Sequence, residues 1–182
     1  MHQRPAPATA DPAYKAGATA LMLTIAVIAT AFGFEHIGGY APCPLCLMQR
    51  YAYFAGIPLL FLALVLVATD RAGLAAAVFF IAALAFLANA GLGIYHAGAE
   101  WKFWPGPDTC AAAAAPLGGG SGGLLQQLET TRVIRCDEAP WTLFGLSFAG
   151  WNVVTSFLIF VACLQAAFAA SATNMRRRLS EV

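Results

Sequence analysis

Four long apolar runs with no charge in their interiors decide what this chain can fold into. They cover about Ala16 to Phe34, Tyr51 to Ala68, Ala72 to Tyr95 and Phe144 to Ala170. A bilayer core about 30 Å thick is crossed by roughly 20 apolar residues in a helix. Within it, each backbone N–H must find its partner inside its own segment. The expected fold class is therefore all-α: a membrane protein built as a four-transmembrane-helix bundle with two outward loops. Only 10% of the residues are charged, against about 25% in soluble domains. A net charge of +1 without a clustered basic face excludes a nucleic-acid binder. The expected surroundings are the lipid bilayer.

Lysine and arginine placement sets the orientation. An even number of spans leaves both termini on one side, with Arg4, Lys15, Arg71 and the run Arg176, Arg177, Arg178. The opposite side has Arg50, Lys102, Arg132 and Arg135 spread over longer loops. The denser side reads as cytoplasmic, so the long loops face outward, the oxidising side for a bacterium. The first run exceeds the roughly 7–15 residues of a signal-peptide core. It reads as an uncleaved anchor, although Ala29-Thr30-Ala31 resembles a cleavage site.

Pro58 interrupts the second run and predicts a kink. Asp70 and Arg71 mark a tight turn that makes spans two and three antiparallel neighbours. In the second outward loop, Trp101, Phe103 and Trp104 read as interfacial anchors, as do Trp141 and Trp151 beside span four. Gly118 to Gly123 is a hinge. Leu124 to Val133 has the pattern of a short interfacial helix, or of an ordinary polar loop.

Four cysteines fall in the outward loops: Cys43 and Cys46 before span two, and Cys110 and Cys136 in the long loop. Pro44 suits the first position of a helix. That makes Cys43 its N-cap and puts Cys46 in the first turn, where exposed N–H groups favour a thiolate. Arg50 lies four residues beyond Cys46 on the same helical face. The cap favours ionisation of Cys43 and the arginine favours that of Cys46. A CxxC can also be half of a zinc site, which Cys110 and Cys136, or His36 and His96, could complete in principle. The distant second pair lacks the short spacing of structural zinc, so no metal is expected. Structural disulfides supporting a non-enzymatic adaptor or assembly protein are the main alternative.

The stretch Pro42-Cys43-Pro44-Leu45-Cys46-Leu47-Met48-Gln49-Arg50 resembles the signature of the disulfide bond formation protein B family (DsbB), commonly P-C-x-L-C-x-x-Q-R. The four spans and the second cysteine pair resemble it too, over about residues 16 to 170. The resemblance implies a quinone-dependent thiol oxidase, a protein-disulfide oxidoreductase of the bacterial inner membrane. Its implied partners are a periplasmic DsbA-like thiol oxidoreductase and the membrane quinone pool, ubiquinone or menaquinone. Cys43, Cys46, Cys110 and Cys136 would be catalytic. Cys110 would take the mixed disulfide, and a transient Cys43–Cys136 link would carry electrons inward. Cys46 and Arg50 would meet the quinone. A vitamin K epoxide reductase-like protein is a second enzymatic candidate, but its usual cysteine layout differs.

Quinone reduction consumes protons, and Glu35, His36 and His96 sit at the right depth to supply them. His96 is the first choice and is placed with the cofactor-binding residues; water or a carbonyl could equally satisfy each of the three. Cys163 reads as a small buried hydrophobe, Asn89 as a bond between helices, and the arginine run as an orientation signal. The expected organisation is a disordered cytoplasmic tail (1–15), a transmembrane redox domain (16–171) and a basic cytoplasmic tail (172–182).

Overall fold

The computed structural model describes residues 11–106 and 136–180. The elements are helices α1 (Pro12–His36), α2 (Pro44–Ala68) and α3 (Ala72–Glu100), strands β1 (Thr142–Leu143) and β2 (Leu146–Ser147), and helix α4 (Phe148–Ser180). All four helices are long and apolar enough to cross a membrane. The chain is a multi-pass, four-helix membrane protein.

Local chemistry explains where the helices start. Asp11 caps α1, accepting from the Ala13 N–H at 2.7 Å, with Pro12 following it. Residues 12–15 therefore belong to the helix and not to a disordered tail, because the cap and proline set its start ahead of the apolar run. Residues 1–10 lie outside the described residues. At the other terminus α4 continues to Ser180, so the arginine run lies on its last turns. The Gly118–Gly123 hinge and the interfacial helix expected over Leu124 to Val133 also fall outside the described residues.

The helices close into a ring in which each packs on its sequence neighbour and α1 packs on α4. Phe79, Phe86, Leu60 and Ile159 fill the centre. Phe86 lies where Gly56 leaves room: a Cβ there would come within 2.7 Å of the ring. Outward side chains such as Met22, Phe61, Leu74 and Phe157 are exposed, as they are when the solvent is lipid. Helix α2 runs through Pro58 as one element. Cys163 is buried in the core as a free thiol.

Polar residues inside the bundle are paired across helices. Tyr53 of α2 donates to the Asn152 carbonyl oxygen at 2.7 Å, and Asn89 of α3 donates to Ser156 at 2.9 Å. At the end remote from the Cys43–Cys46 pair Asp70 adopts a left-handed φ of 63°. Arg177 forms an ion pair with its carboxylate and donates to its carbonyl at 2.9 Å. One of the run's arginines thus ties the end of α4 to the α2–α3 turn.

The small hairpin modifies the all-helical expectation. β1 and β2 pair antiparallel, Thr142 with Ser147 and Leu143 with Leu146. Phe144 (φ 54°) and Gly145 (φ 80°) make the two-residue connection, the positive-φ pair that matches strand twist in a tight hairpin. The apolar pattern of 144–147 read as helix because a period of 3.6 and a two-residue strand are indistinguishable over so few residues. Ser147 then caps α4, accepting from the Gly150 N–H at 3.2 Å.

Candidate functional site

The helix ends that carry the Cys43–Cys46 pair surround a cavity of about 490 Å³. Each helix contributes to it: Phe34 from α1, Cys46 and Arg50 from α2, His96 from α3 and Trp151 from α4. The chain from Tyr40 to Cys43 and the hairpin segment from Glu138 to Leu143 complete the wall.

Cys43 is the N-cap of α2, and its sulfur accepts from the Cys46 N–H at 3.2 Å. The two sulfurs lie 2.9 Å apart as free thiols. The Cys46 thiol, hydrogen-bonded to the Cys43 sulfur, holds the Cys43 thiol down to about 5; burial opposes this, and His96 adds to it. The Cys46 side chain, with His96 and only lastly the capped N–H behind it, therefore makes Cys43 the acid of the pair. Arg50 does not compete, because it is committed elsewhere. It forms an ion pair with Glu35 at the end of α1 and lies over the Phe32 ring, 5.2 Å from its centroid. It still lines the same cavity as Cys46.

His96 is buried and faces several groups at once. Its Nε2 lies 3.7 Å from the Cys43 sulfur and 3.8 Å from a Glu100 carboxylate oxygen. Its Nδ1 lies 3.1 Å from the Gln49 amide nitrogen. Gln49 thus orients His96. The other oxygen of Glu100 accepts from Ser147. Helix α3 runs five residues past Tyr95, so Glu100 falls one turn beyond His96 on the same face. It is a buried member of the site that the apolar run did not reveal; its spacing from His96 was the available signal. His36 stacks on Phe32, ring centroids 5.9 Å apart, and does not line the cavity.

The hairpin side is aromatic. Trp141 stacks on Phe148 with centroids 4.9 Å apart, and Phe34 meets both rings at 5.0 Å. Trp141 and Trp151, read from sequence as interfacial anchors, both line the cavity. Trp104 donates to the Tyr95 carbonyl at 2.9 Å and lies against Gly98 so closely that a Cβ there would come within 2.0 Å of it.

Cys136 is buried in one small cluster with Cys43 and Leu45, and Cys46 packs against it. It is in a disulfide. Lys102, just past α3, holds the neighbouring residue by donating to the Asp137 carboxylate and carbonyl, both at 2.7 Å. Cys110 lies outside the described residues.

The family model for disulfide bond formation protein DsbB matches residues 15–166. The chain belongs to the DsbB family. It is similar to disulfide bond formation protein B of Aromatoleum aromaticum, 32% identical over 75% of this chain and 83% of the relative. The same protein of Herminiimonas arsenicoxydans is 30% identical over 81% and 90%. That of Albidiferax ferrireducens is 29% identical over 74% and 76%. No solved structure gives a significant match. As a DsbB-family member the protein is a disulfide-forming thiol oxidoreductase, and the adaptor alternative is set aside.

Proposed function

We propose that this protein oxidises a periplasmic DsbA-like dithiol protein and delivers the electron pair, through two cysteine pairs, to membrane quinone. The observation that carries this reading is the burial of Cys43 and Cys136 in one cluster beside the cavity. An acidic thiol capped by a helix N-terminus thus packs against a cysteine of the second pair.

The exchange steps balance as thiol–disulfide chemistry. A partner thiolate attacks Cys110 of the Cys110–Cys136 disulfide, and the partner's second thiol releases it as an oxidised protein. Cys136, now a thiolate, attacks Cys43 of a Cys43–Cys46 disulfide and frees Cys46. Cys110 then resolves the Cys43–Cys136 bond, restoring the outer disulfide and leaving the inner pair reduced. Each step needs a thiolate and a good leaving thiolate, and the raised acidity of Cys43 supplies the latter.

The cavity fits a quinone headgroup. Its volume is in the range of roughly 300–1,000 Å³ usual for small-molecule sites, and its walls are flat aromatic rings. Asn152 lines it and carries a buried amide N–H with no partner among the described residues, a donor suited to a ring carbonyl. When bound, quinone supplies a two-electron, two-proton acceptor. Cys46, Arg50 and the aromatic wall would hold it. Arg50 offers a permanent charge and several donors to a developing negative oxygen. His96, between Cys43 and Glu100, is placed to hold and hand on a proton.

The basic residues at the Asp70 end support an inner-membrane setting with both termini cytoplasmic and the cysteine loops periplasmic. The test is quinone reduction by purified protein supplied with a reduced DsbA-like partner. Cys46→Ala is expected to abolish it, and an unchanged rate would overturn the mechanism. Running ubiquinone and menaquinone analogues in parallel identifies the acceptor.

A further inference from the structure

The reduced site has a second chemical capability. The Cys43 and Cys46 sulfurs and a ring nitrogen of His96 all lie within 4.8 Å of one another. This is a two-sulfur, one-nitrogen donor set with one imidazole already aimed at a thiol. We propose that the Cys43–Cys46 dithiol and His96 form a binding site for a single thiophilic divalent cation such as Zn²⁺, open only in the reduced state.

The geometry is close to what such an ion needs. With Zn–S of about 2.3 Å and Zn–N of about 2.0–2.1 Å, a tetrahedral ion spaces its sulfur and nitrogen ligands by roughly 3.5 Å. Cys43 Sγ and His96 Nε2 are 3.7 Å apart. Two sulfur ligands stand about 3.8 Å apart around the same ion. The thiols are now at 2.9 Å, so one rotation about a cysteine χ1 opens the pair. The imidazole is held through its other nitrogen by Gln49. By turning its amide, Gln49 can present the carbonyl oxygen to Nδ1–H, the outer-shell partner that metal-binding histidines use.

Charge favours the same ligand class. Two thiolates neutralise a divalent ion, so the complex is neutral in a poorly solvated place. Binding displaces both thiol protons into solvent, M²⁺ + 2 RSH → M(SR)₂ + 2 H⁺, with no change of oxidation state. The cavity, on which Cys43, Cys46 and His96 all open, gives the route in and leaves the fourth ligand position to water. Oxidation to the Cys43–Cys46 disulfide removes both anionic ligands and closes the site. This is not the closed structural zinc, completed by a second cysteine pair or by two histidines, that the sequence argues against. It draws on one pair only, and it stands whichever acceptor reoxidises that pair. Its consequence is reversible arrest, since sulfurs bound to the ion can neither form a disulfide nor give up electrons.

The test uses the full chain in detergent with Cys110→Ser and Cys136→Ser, so that only the inner pair can respond, and Cd²⁺ as the probe. The reduced protein is expected to bind one Cd²⁺ per chain, with an ultraviolet sulfur-to-metal charge-transfer band and release of protons. The same preparation oxidised at Cys43–Cys46 is expected to show no band, a comparison that misfolding cannot mimic. His96→Gln is expected to keep the band and weaken affinity at least tenfold; Cys43→Ser is expected to lose the band. Absence of the band in the reduced chain, or equal binding by the oxidised chain, would overturn the proposal. So would an unchanged affinity in His96→Gln.

Discussion

Arg50 is paired with Glu35, so the end of α1 holds the residue that faces the cavity from α2. Both side chains are mostly shielded, at 13% and 25% exposure. Glu35→Gln leaves the guanidinium charged but loosely held. The expected result is a quinone KM raised about tenfold, equivalent to about 1.4 kcal/mol, with kcat changed less. Stability should fall by only about 1 kcal/mol, because the pair is partly solvated. Steady-state kinetics and a thermal melt check both. An equal fall in kcat with KM constant would place Glu35 in proton delivery instead.

The acidity of Cys43 gives a pH prediction with a definite sign. Its thiol is held down to about 5, so the reduced protein carries a thiolate at neutral pH and loses it as pH falls through that value. Thiolate ultraviolet absorbance, measured with Cys110 and Cys136 replaced by serine, should have its midpoint near 5. His96→Ala should move the midpoint upward, because the imidazole is one of the groups that lower it. A midpoint in the ordinary thiol range for the unmodified pair would remove the activated cysteine from the mechanism.

Trp141 should matter to the acceptor and little to the thiol partner. It stacks on Phe148 and closes the hairpin side of the cavity. Trp141→Ala removes aromatic contacts of about 0.5–1.5 kcal/mol each. The KM for a short-chain quinone should rise roughly tenfold, while the KM for the reduced protein partner stays within about twofold. The opposite pattern would assign Trp141 to the docking surface.

Gly98 is intolerant of any side chain because Trp104 occupies its face. Gly98→Ala should expel the indole, break its bond to the Tyr95 carbonyl and cost about 1–3 kcal/mol, the usual range for overpacking. Tryptophan emission should shift to the red. Adding Trp104→Leu should recover part of the lost melting temperature; no recovery would mean that the close approach is not the cause.

The bundle was legible because lipid imposes a crude and unmistakable pattern: long apolar runs separated by charged or cysteine-bearing breaks. The Cys43 cap was legible because Pro44 has few other places to go. Glu100 was not, since an acid just past an apolar run looks like loop, and only the continuation of α3 buries it. The Arg50–Glu35 pair was hidden for a related reason. Local spacing pointed Arg50 toward Cys46, while its partner came from another helix through tertiary packing. Trp141 and Trp151 illustrate the same limit, because an interfacial tryptophan and a cavity wall have one composition and differ only in which way the ring turns.

The clamp of Arg177 on Asp70 holds α2, α3 and α4 together at the end remote from the cysteines. A helix fixed at one end is a lever. The 25 residues of α2, rising about 1.5 Å each, make an arm of roughly 37 Å, so a tilt of about 3° at the turn displaces the cysteine end by roughly 2 Å. A slight splay of otherwise rigid rods at the turn would thus be magnified at the cysteine end. Substitutions at Asp70 or Arg177, far from any sulfur, should then alter how readily the mouth opens.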